Sequence, residues 1–360
     1  MISPSTTPAD RPLAVGLVGY GLGGSAFHAP LIAATSGLRL TAVVTRDPGR
    51  RSAVQRRYPG ARVLDSVDAL WAMADALDLV VVTSPNATHA PYARAALDAG
   101  LHVVVDKPFA PTVTEAREIA ALAERTSRLA IPFQNRRWDG DFLTVRRLLR
   151  DDALGTIHRF ESRFERLRAS AKPGWTAPGA AERAEGIVYD IGSHLIDQAL
   201  HLFGPAAQVY AEMVRRHPDV VVEDEAFLSI RHAGGVRSHL HMSAAAAQSG
   251  ARMSVWGSRA AYVKHGLDGQ EDALRAGGLP GSPGWGAEPR EAWGWVGARD
   301  ERRQHPTEPG AYPAYYAGVE RAIRIGVAPP VLVADAIASL QVIEAAFRSA
   351  REQRVVAVTR

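Results

Sequence analysis

The sequence predicts an α/β domain with a doubly wound parallel sheet, followed by an α+β domain with a large, mainly antiparallel open sheet. Its 360 residues are too many for one ordinary core and suit two. Apolar residues make up 46% and charged residues 22%, as in soluble globular proteins. Strand-like runs alternate with helices as far as residue 133 and follow one another afterwards. We therefore place the domains at 13–133 and 134–360, after a disordered tail at 1–12.

The first domain shows repeated βαβ units. Helical stretches run from Pro91 to Gly100, with proline near the start and glycine at the end, and from Thr114 to Arg125, which is rich in alanine and glutamate. Short β-branched runs separated by such helices are typical of parallel strands that are covered on both faces. The runs are LAVGLVG, LRLTAVVT, ARVLD, LDLVVVT, LHVVVD and LAIPF.

The second domain mixes helices with successive strands. We expect helices from Phe142 to Leu149, from Tyr189 to about Phe203, and from about Val331 to Arg351, the last of which could pack back on the first domain. Residues 277–313 are rich in Gly, Pro and Trp without periodicity and predict a long loop that serves as a lid or a partner contact. The predicted strands are IHRFESRFERLR, AQVYAEMVRR, EDEAFLSIRH, VRSHLHMSAA and RMSVWGSRAAYVKH.

A glycine-rich loop follows the first strand directly. Glycine in a G-x-G-x-x-G pattern lets the chain turn tightly and lets its backbone approach a pyrophosphate, whose charge a helix N-terminus stabilises. Placed on the first strand of a βαβ series, the pattern predicts a Rossmann domain that binds a dinucleotide. The alternative is a turn that serves only helix packing. The loop residues are Gly19, Tyr20, Gly21, Leu22, Gly23 and Gly24.

The end of the second strand indicates which dinucleotide binds. NAD enzymes usually place an acidic residue there to hold the adenosine ribose. Here the strand ends on Thr45 and Arg46, with Arg50 close behind. A hydroxyl and guanidinium groups suit the ribose phosphate of NADP better than a bare diol. We therefore predict NADP, while Asp47 is the residue that would allow NAD instead.

A lysine directly follows a strand that reads as buried. The run Val103–Val105 leads into Asp106, Lys107 and Pro108. Ligands of open parallel sheets bind beyond the carboxyl ends of the strands, so Lys107 should face the binding crevice. Pro108 restricts the backbone of Lys107 and allows a cis peptide there. An ammonium in this position would stabilise charge on a substrate oxygen, whereas a surface lysine that caps a strand is the alternative.

A second group of polar residues begins the helix at Tyr189. Asp190 and His194 are four residues apart and share one helical face. Histidine exchanges protons near neutral pH, and a neighbouring carboxylate can orient it, so the two predict an acid/base pair. The same stripe continues through Asp197 and His201, which leaves a metal site built from these four side chains as a rival interpretation.

With these motifs in order, the chain resembles the Gfo/Idh/MocA family of NAD(P)-dependent oxidoreductases from near Leu13 to its C-terminus, and especially an NADP-dependent inositol dehydrogenase branch of it. The motifs are the glycine loop, Asp106-Lys107-Pro108 and Asp190 to His194. Further similar segments are GYGLGGSAFHAPL, QNRRWDGDFLTV, YDIGSHLIDQALHLFG, KHGLDGQEDALRAG and YPAYY. Asp106 stands where glutamate is commoner in the family.

The resemblance implies specific roles for residues. Lys107, Asp190 and His194 would form the catalytic trio. Asp106 would reach the cofactor ribose. Further cofactor contacts would come from Ser84, Pro85, Asn86 and His89, and residues near the nicotinamide would be Asn135, Arg136 and Trp138.

The expected reaction is reversible hydride transfer between NADP and a secondary hydroxyl of a cyclic polyol or sugar. His194 would take the hydroxyl proton, Lys107 would polarise the oxygen, and Asp190 would bind a neighbouring hydroxyl and orient His194. His28 is a further candidate for the substrate or cofactor pocket. A sensor that binds NADP without turnover and acts through a protein partner is the alternative from another class, and a metal-dependent dehydrogenase is the third.

Composition and charge argue against several other classes of protein. The chain has no cysteine, which excludes disulfides and thiolate nucleophiles. Net charge is only +4 and the arginines are spread along the chain, so no nucleic acid partner is indicated. No apolar run is long enough for a membrane span and no signal peptide is evident, so we expect a cytoplasmic protein without a membrane partner. The open sheet needs a cover, which predicts a homodimer or homotetramer.

Overall fold

The computed structural model describes residues 11–359, and these residues form two sheets, one of six strands and one of nine. The predicted fold class is confirmed: the first sheet is wholly parallel and the second is mainly antiparallel. The predicted disordered tail, 1–12, lies outside the described residues except for its last two. Of these, Arg11 donates two hydrogen bonds to the carboxylate of Asp78, at 2.7 and 2.8 Å.

The first sheet has the strand order β3-β2-β1-β4-β5-β6, which is the doubly wound order with its crevice beside β1 and β4. Each of the six strand-like runs forms a strand, and the central ones are buried on both faces because helices cover the sheet on both sides. The strands are β1 Leu13–Val18, β2 Leu38–Val44, β3 Arg62–Leu64, β4 Leu79–Val82, β5 His102–Val105 and β6 Ala130–Pro132.

Side-chain caps fix where several helices of this domain begin. The Thr112 hydroxyl accepts the N–H of Glu115, and Asp47 accepts the N–H of Arg50, so orphan amides at two helix starts are satisfied. A π-helical turn, Gly23–His28, links the glycine loop to α1. The α-helices are α1 Ala29–Ala33, α2 Pro48–Arg57, α3 Val67–Trp71, α4 His89–Asp98 and α5 Val113–Thr126.

The second sheet has the order β14-β13-β12-β11-β7-β10-β9-β8-β15, in which β7 and β10 are the parallel pair. Its strands are β7 Ile157–Glu165, β8 Ala206–Val214, β9 Glu225–His232, β10 Arg237–Ser243, β11 Met253–Gly257, β12 Ala261–Lys264, β13 Gly294–Ala298, β14 Glu301–His305 and β15 Val356–Ala357. The helices of this part are α6 Gly140–Arg150, α7 Pro173–Thr176, α8 Ser193–Phe203, α9 Gln270–Arg275, α10 Pro313–Ile325 and α11 Val333–Glu352.

One face of the second sheet is covered and the other is open. Alternate residues such as Leu228, Ile230 and Leu240 are fully buried beneath α8 and α11, because period-two alternation sends them to one face. Their neighbours Phe227 and His239 are only half-buried on the opposite face, where their rings pack together. This leaves α8 packed between the sheet and α11.

Two expectations for this domain were wrong. The segment RMSVWGSRAAYVKH is a hairpin of β11 and β12 rather than one strand, since the Gly257 N–H donates to the Ala260 carbonyl and closes a turn. The predicted loop at 277–313 contains β13 and β14, which extend the sheet at its edge. The alternating apolar pattern of a strand is incomplete in β13 because one buried position is Gly294. The absence of a side chain there leaves room for the Tyr262 ring.

The final helix joins the two domains. Glu344 on α11 accepts the backbone N–H of Val113 at the start of α5, at 2.8 Å, and α11 also packs on α8. The C-terminal helix therefore packs back on the first domain. In residues 11–359 no helix combines the length and the apolar character that crossing a bilayer requires.

Candidate active site

A cavity of about 650 Å³ lies beyond the carboxyl ends of β4 and β5. The segments after these strands form one wall, and the π-helical turn Val188–Gly192 and α8 form the wall opposite. Lys107, Asp190 and His194 all line it, so the structure brings the three predicted catalytic residues together. Predicted cofactor residues that also line it are Leu22, Gly23, Ser84, Asn86, His89, Asp106, Asn135 and Arg136.

Lys107 is held across the cavity by Asp190. Its Nζ donates to Asp190 Oδ1 and to the Asp190 backbone carbonyl, each at 2.8 Å, and the Lys107–Pro108 peptide is cis. Lys172 donates to the other carboxylate oxygen, Oδ2. Burial alone would raise the pKa of the Asp190 carboxyl, but the charges of Lys107 and Lys172 outweigh it and hold the pKa far below its usual range. Asp190 is therefore ionised and fixes both ammonium groups.

His194 is oriented by a residue that the sequence did not suggest. Its Nδ1 donates to Gln134 Oε1 at 2.9 Å, and Nε2 makes no hydrogen bond within residues 11–359. Burial first, and then the charges of Lys107 and Arg136, lower the pKa of His194 well below 6.5. The imidazole is thus neutral near pH 7, with its Nε2 lone pair free to accept a proton. The predicted orientation of His194 by Asp190 is wrong, because the Asp190 carboxylate is occupied by the two lysines.

The glycine loop has the shape that a dinucleotide requires. Gly19 has a φ of +100°, and a Cβ there would lie 2.7 Å from the Thr83 carbonyl oxygen. A Cβ on Gly24 would collide with the Gly19 carbonyl, whereas one on Gly21 would meet nothing within 4 Å. The loop is therefore tightly packed at Gly19 and Gly24 and open at Gly21, where the pyrophosphate of NAD or NADP would approach the backbone.

A second cavity, of about 570 Å³, lies at the other end of the glycine loop. The predicted nucleotide residues Thr45, Arg46 and Arg50 line it. Asp47 lines it too, but its Oδ1 accepts the backbone N–H of Arg50 at 2.8 Å as the cap of α2. Both cavities include Thr83 and Ser84, so a dinucleotide stretched along the loop would reach from the arginines to His194. The remaining predicted residues at this second cavity are Gly19, Tyr20, Gly21 and Pro85.

Two protein-family models match the chain. The NAD-binding Rossmann-fold model of an oxidoreductase family matches residues 13–133, and the C-terminal alpha/beta domain model of the same family matches residues 146–358. This protein belongs to the Gfo/Idh/MocA oxidoreductase family. The resemblance predicted from the motifs is thereby confirmed.

Relatives in the Gfo/Idh/MocA family match almost the whole chain. An uncharacterized oxidoreductase, YdgJ of Escherichia coli K12, is 39% identical over 341 residues, which cover 94% of this chain and 96% of YdgJ. The scyllo-inositol 2-dehydrogenase (NADP(+)) IolW of Bacillus subtilis is 33% identical over 346 residues, 95% of each chain. The solved structure of YPO2259 from Yersinia pestis has a TM-score of 0.90 at 36% identity and covers 98% of this chain and 99% of YPO2259.

Two residues predicted for the pocket of this Gfo/Idh/MocA protein lie elsewhere. His28 is fully buried, with Nδ1 hydrogen-bonded to the Tyr316 hydroxyl at 2.7 Å and its ring against Phe133, so it supports Asp106 from behind rather than facing a substrate. Trp138 packs edge-on against Tyr315 and does not line the cavity. Both follow motif positions closely in sequence, but the helical turn carries their side chains into the core.

His89 lines the cavity, and each of its ring nitrogens lies beside a backbone carbonyl oxygen. Nδ1 lies 2.7 Å from the Pro108 carbonyl and Nε2 lies 2.8 Å from the Ser84 carbonyl. The ring thereby ties together the segments that follow β4 and β5. Burial lowers the pKa of this histidine below its ordinary value. Because both ring nitrogens face backbone carbonyls, His89 positions the cavity wall rather than facing a ligand.

The four residues of the rival metal interpretation do not converge. Asp197 accepts a two-point ion pair from Arg137, at 2.6 and 2.7 Å, and the His201 ring packs on Phe142. Asp190 is held by two lysines, as described above. The four residues do recur at helical spacing, but their side chains have different neighbours. Asp190 and His194 line the cavity, whereas Asp197 and His201 do not.

Sequence reasoning missed several residues that line the cavity and one, Gln134, that contacts His194 without lining it. Gln134 precedes the predicted Asn135, and Lys172 lies in a loop with no regular pattern. Arg166 and Arg168 follow the end of β7, while Glu271 and Arg275 come from α9. Only the i, i+2 spacing of Arg166 and Arg168 is a local signal, since it places both on one face of an extended segment. The others depend on long-range contacts that no local motif records.

Proposed function

We propose that this protein is an NADP-dependent oxidoreductase that transfers a hydride between the nicotinamide and a secondary hydroxyl or ketone of a cyclic polyol or sugar. The observation that carries the proposal is the shared cavity beside the glycine loop, into which Lys107 and a neutral His194 both face. An ammonium and an unprotonated imidazole are the two groups that removal of a hydroxyl proton requires.

The protein's own groups divide the proton chemistry between them. The hydroxyl proton passes to Nε2 of His194, while the Nδ1–H keeps its bond to Gln134 and so fixes the ring orientation. Lys107 Nζ donates to the substrate oxygen as negative charge builds there, and Asp190 holds that ammonium in place. The bound dinucleotide supplies the hydride acceptor. In the reverse direction His194 returns the proton to the new hydroxyl.

The preference for NADP rests on the second cavity. Arg46 and Arg50 offer guanidinium groups there, and the Nε of Arg46 is anchored on the Asp65 carbonyl at 3.1 Å. Asp47, the residue that would favour the ribose diol of NAD, is already used as a helix cap. The two guanidinium groups in this cavity favour a ribose phosphate.

Names of relatives agree with the proposed substrate class. Besides IolW, the E. coli D-glucoside 3-dehydrogenase is 31% identical over 54% of this chain, and the Paraburkholderia graminis D-apiose dehydrogenase is 30% identical over 57%. All three names describe dehydrogenases of polyols or sugars. A hydroxyl on a ring or sugar is therefore the class to test first.

The direct test is a cofactor-reduction screen. Purified protein is mixed with NADP⁺ and a panel of stereoisomeric inositols, sugars and their acids, and reduced cofactor is followed by its absorbance. We expect turnover with at least one member and its loss in Lys107→Ala. Cofactor binding without turnover on any member, together with capture of a protein partner, would instead support a sensor.

Cofactor preference has its own test. Arg46→Ala should raise the KM for NADP⁺ by about 10- to 100-fold, because a charge-assisted contact to the phosphate is lost, and should change that for NAD⁺ far less. Arg56→Ala is the matched control, since Arg56 is exposed on α2, the helix that follows Arg46, and lies outside the cavity. Equal changes for the two cofactors in Arg46→Ala would contradict the phosphate role.

A further inference from the structure

Two arginines extend from the end of β7 into the main cavity. The backbone stays extended beyond Glu165, because the N–H groups of Arg166 and Arg168 donate to the carbonyls of Ser243 and Ala244, at 3.0 and 2.8 Å. Leu167 between them points the other way and is 66% exposed. Arg166 and Arg168 therefore share the face that lines the cavity.

These two guanidinium groups differ from the other cations of the cavity in having no acidic partner. Lys107 and Lys172 both bind Asp190, and Arg136 and Arg275 both bind Glu271. Within residues 11–359, neither Arg166 nor Arg168 donates a side-chain hydrogen bond or forms an ion pair. The Arg166 guanidinium only stacks over the Phe164 ring, 5.0 Å from its centre.

Positive charge at this place is costly. Burial, and next the charge of Arg168, lower the pKa of Arg166 below its ordinary value. Of the acidic residues that line the cavity, Asp190 and Glu271 are neutralised by the pairs above, Asp106 accepts the backbone N–H of Lys107, and Asp272 is exposed on α9. The cavity thus carries unpaired positive charge on its second-domain wall.

The cofactor does not account for this charge. In the proposed binding mode the pyrophosphate meets the glycine loop, and the ribose phosphate meets Arg46 and Arg50 in the other cavity. Arg166 and Arg168 lie on the substrate wall, with Lys172 and Asp190. Guanidinium groups bind carboxylates and phosphates through paired hydrogen bonds, which gives these residues a matching ligand.

We propose that the substrate is an anionic polyol or sugar whose carboxylate or phosphate is bound by Arg166 and Arg168. The inference rests on the proposed oxidoreductase function and narrows its substrate class. The anionic group lies at the far wall, and the reacting hydroxyl lies between Lys107 and His194. A neutral sugar leaves both guanidinium groups without an anionic partner.

The test compares ring-matched substrates. Glucose, glucuronate and glucose 6-phosphate, and the same three forms of galactose, are compared by kcat/KM with saturating NADP⁺. We expect an anionic form to exceed its neutral parent, and the carboxylate and phosphate arms show which anion is preferred. In Arg166→Gln and Arg168→Gln the anionic-to-neutral ratio should fall by about 10- to 100-fold, since charge-assisted hydrogen bonds are lost.

Arg163→Gln is the matched control. Arg163 lies on β7 but pairs with Glu161 and Glu165, at 3.4 and 3.6 Å, and does not line the cavity. The control removes the same charge from the strand that leads into Arg166 and Arg168, so its ratio should stay at the wild-type value. Neutral sugars that react better than both anionic forms, with ratios unchanged in Arg166→Gln and Arg168→Gln, would overturn the inference and leave the proposed function intact.

A binding measurement separates the inference from turnover. Glucuronate and inorganic phosphate are titrated calorimetrically into the protein with NADP⁺. We expect one of them to bind the wild type and the Arg163→Gln variant, and to bind the Arg166→Gln/Arg168→Gln variant at least about 10-fold more weakly. Such binding without any turnover would refute the oxidoreductase proposal alone. Equal binding by all variants, or no binding of either anion, would refute the anion site.

Discussion

The nucleotide side and the substrate side of the cavity are built in different ways. On the nucleotide side, residues close together in the sequence determine the path of the backbone. At Gly19 and Gly24, for example, an added Cβ would collide with nearby carbonyl groups. On the substrate side, side chains from distant segments meet: Lys107 and Asp190 are 83 residues apart, and Gln134 and His194 are 60 apart. The first side should therefore be sensitive to backbone space, and the second to the loss of individual polar groups.

The largest effect should come from His194, on the substrate side. His194→Ala removes the proposed base, so kcat should fall by about 10²–10⁴-fold, the usual range for general acid–base catalysis. The affinity for NADP⁺, measured by fluorescence titration, should change much less. His194→Gln keeps a polar side chain in the buried site and controls for collapse of the cavity. A kcat near the wild-type value in both variants would mean that another group removes the proton.

The protonation state of His194 also sets the expected pH dependence in the wild type. Protonation of Nε2 removes the lone pair that accepts the substrate proton, so activity is lost as the pH falls through the pKa of His194. Because burial and neighbouring cations hold that pKa well below 6.5, kcat/KM should stay level down to that pH. An acid limb centred at or above pH 6.5 would contradict this assignment.

A backbone change should matter most on the nucleotide side. Gly24→Ala places a methyl group against the Gly19 carbonyl and should weaken NADP⁺ binding by about 10- to 100-fold, which is the range expected from overpacking by one group. Gly60→Ala is the matched control because nothing lies within 4 Å of its Cβ position. Thermal melting distinguishes a local loss of binding from general unfolding. Normal NADP⁺ affinity in Gly24→Ala would show that the loop shape does not decide binding.

The contrast between local backbone shape and long-range side-chain contacts explains which features the sequence could predict. The six strands of the first domain and the glycine loop follow from short local patterns, because each buried parallel strand is a continuous apolar run. Lys107 could be placed at the crevice because the carboxyl end of a parallel strand has a known position in the fold. His28 was misplaced because proximity to the loop in sequence says nothing about which side of a helical turn faces the core.

On the substrate side the residue types were predictable, but several of their partners were not. The i, i+4 spacing of Asp190 and His194 placed both at the cavity, yet it also suggested a mutual hydrogen bond that the structure does not contain. The Asp190 carboxylate accepts hydrogen bonds from Lys107 and Lys172 rather than from His194, whose buried imidazole is neutral. Such a choice depends on burial and on residues far away in the chain, which spacing alone does not encode.

The smallest effect, and the one that joins the two sides, should come from Gln134, which follows β6 of the first domain and orients His194 of the second. Gln134→Leu removes the acceptor of the Nδ1–H, so kcat should fall by only about 2- to 12-fold, the worth of one ordinary hydrogen bond. Gln134→Glu should instead raise the pKa of His194, because a carboxylate stabilises the imidazolium. Since the neutral ring is the proposed base, the acid limb of kcat/KM should then move to higher pH, which loss of packing alone would not cause. A profile identical to that of the wild type would show that Gln134 does not act on the imidazole of His194.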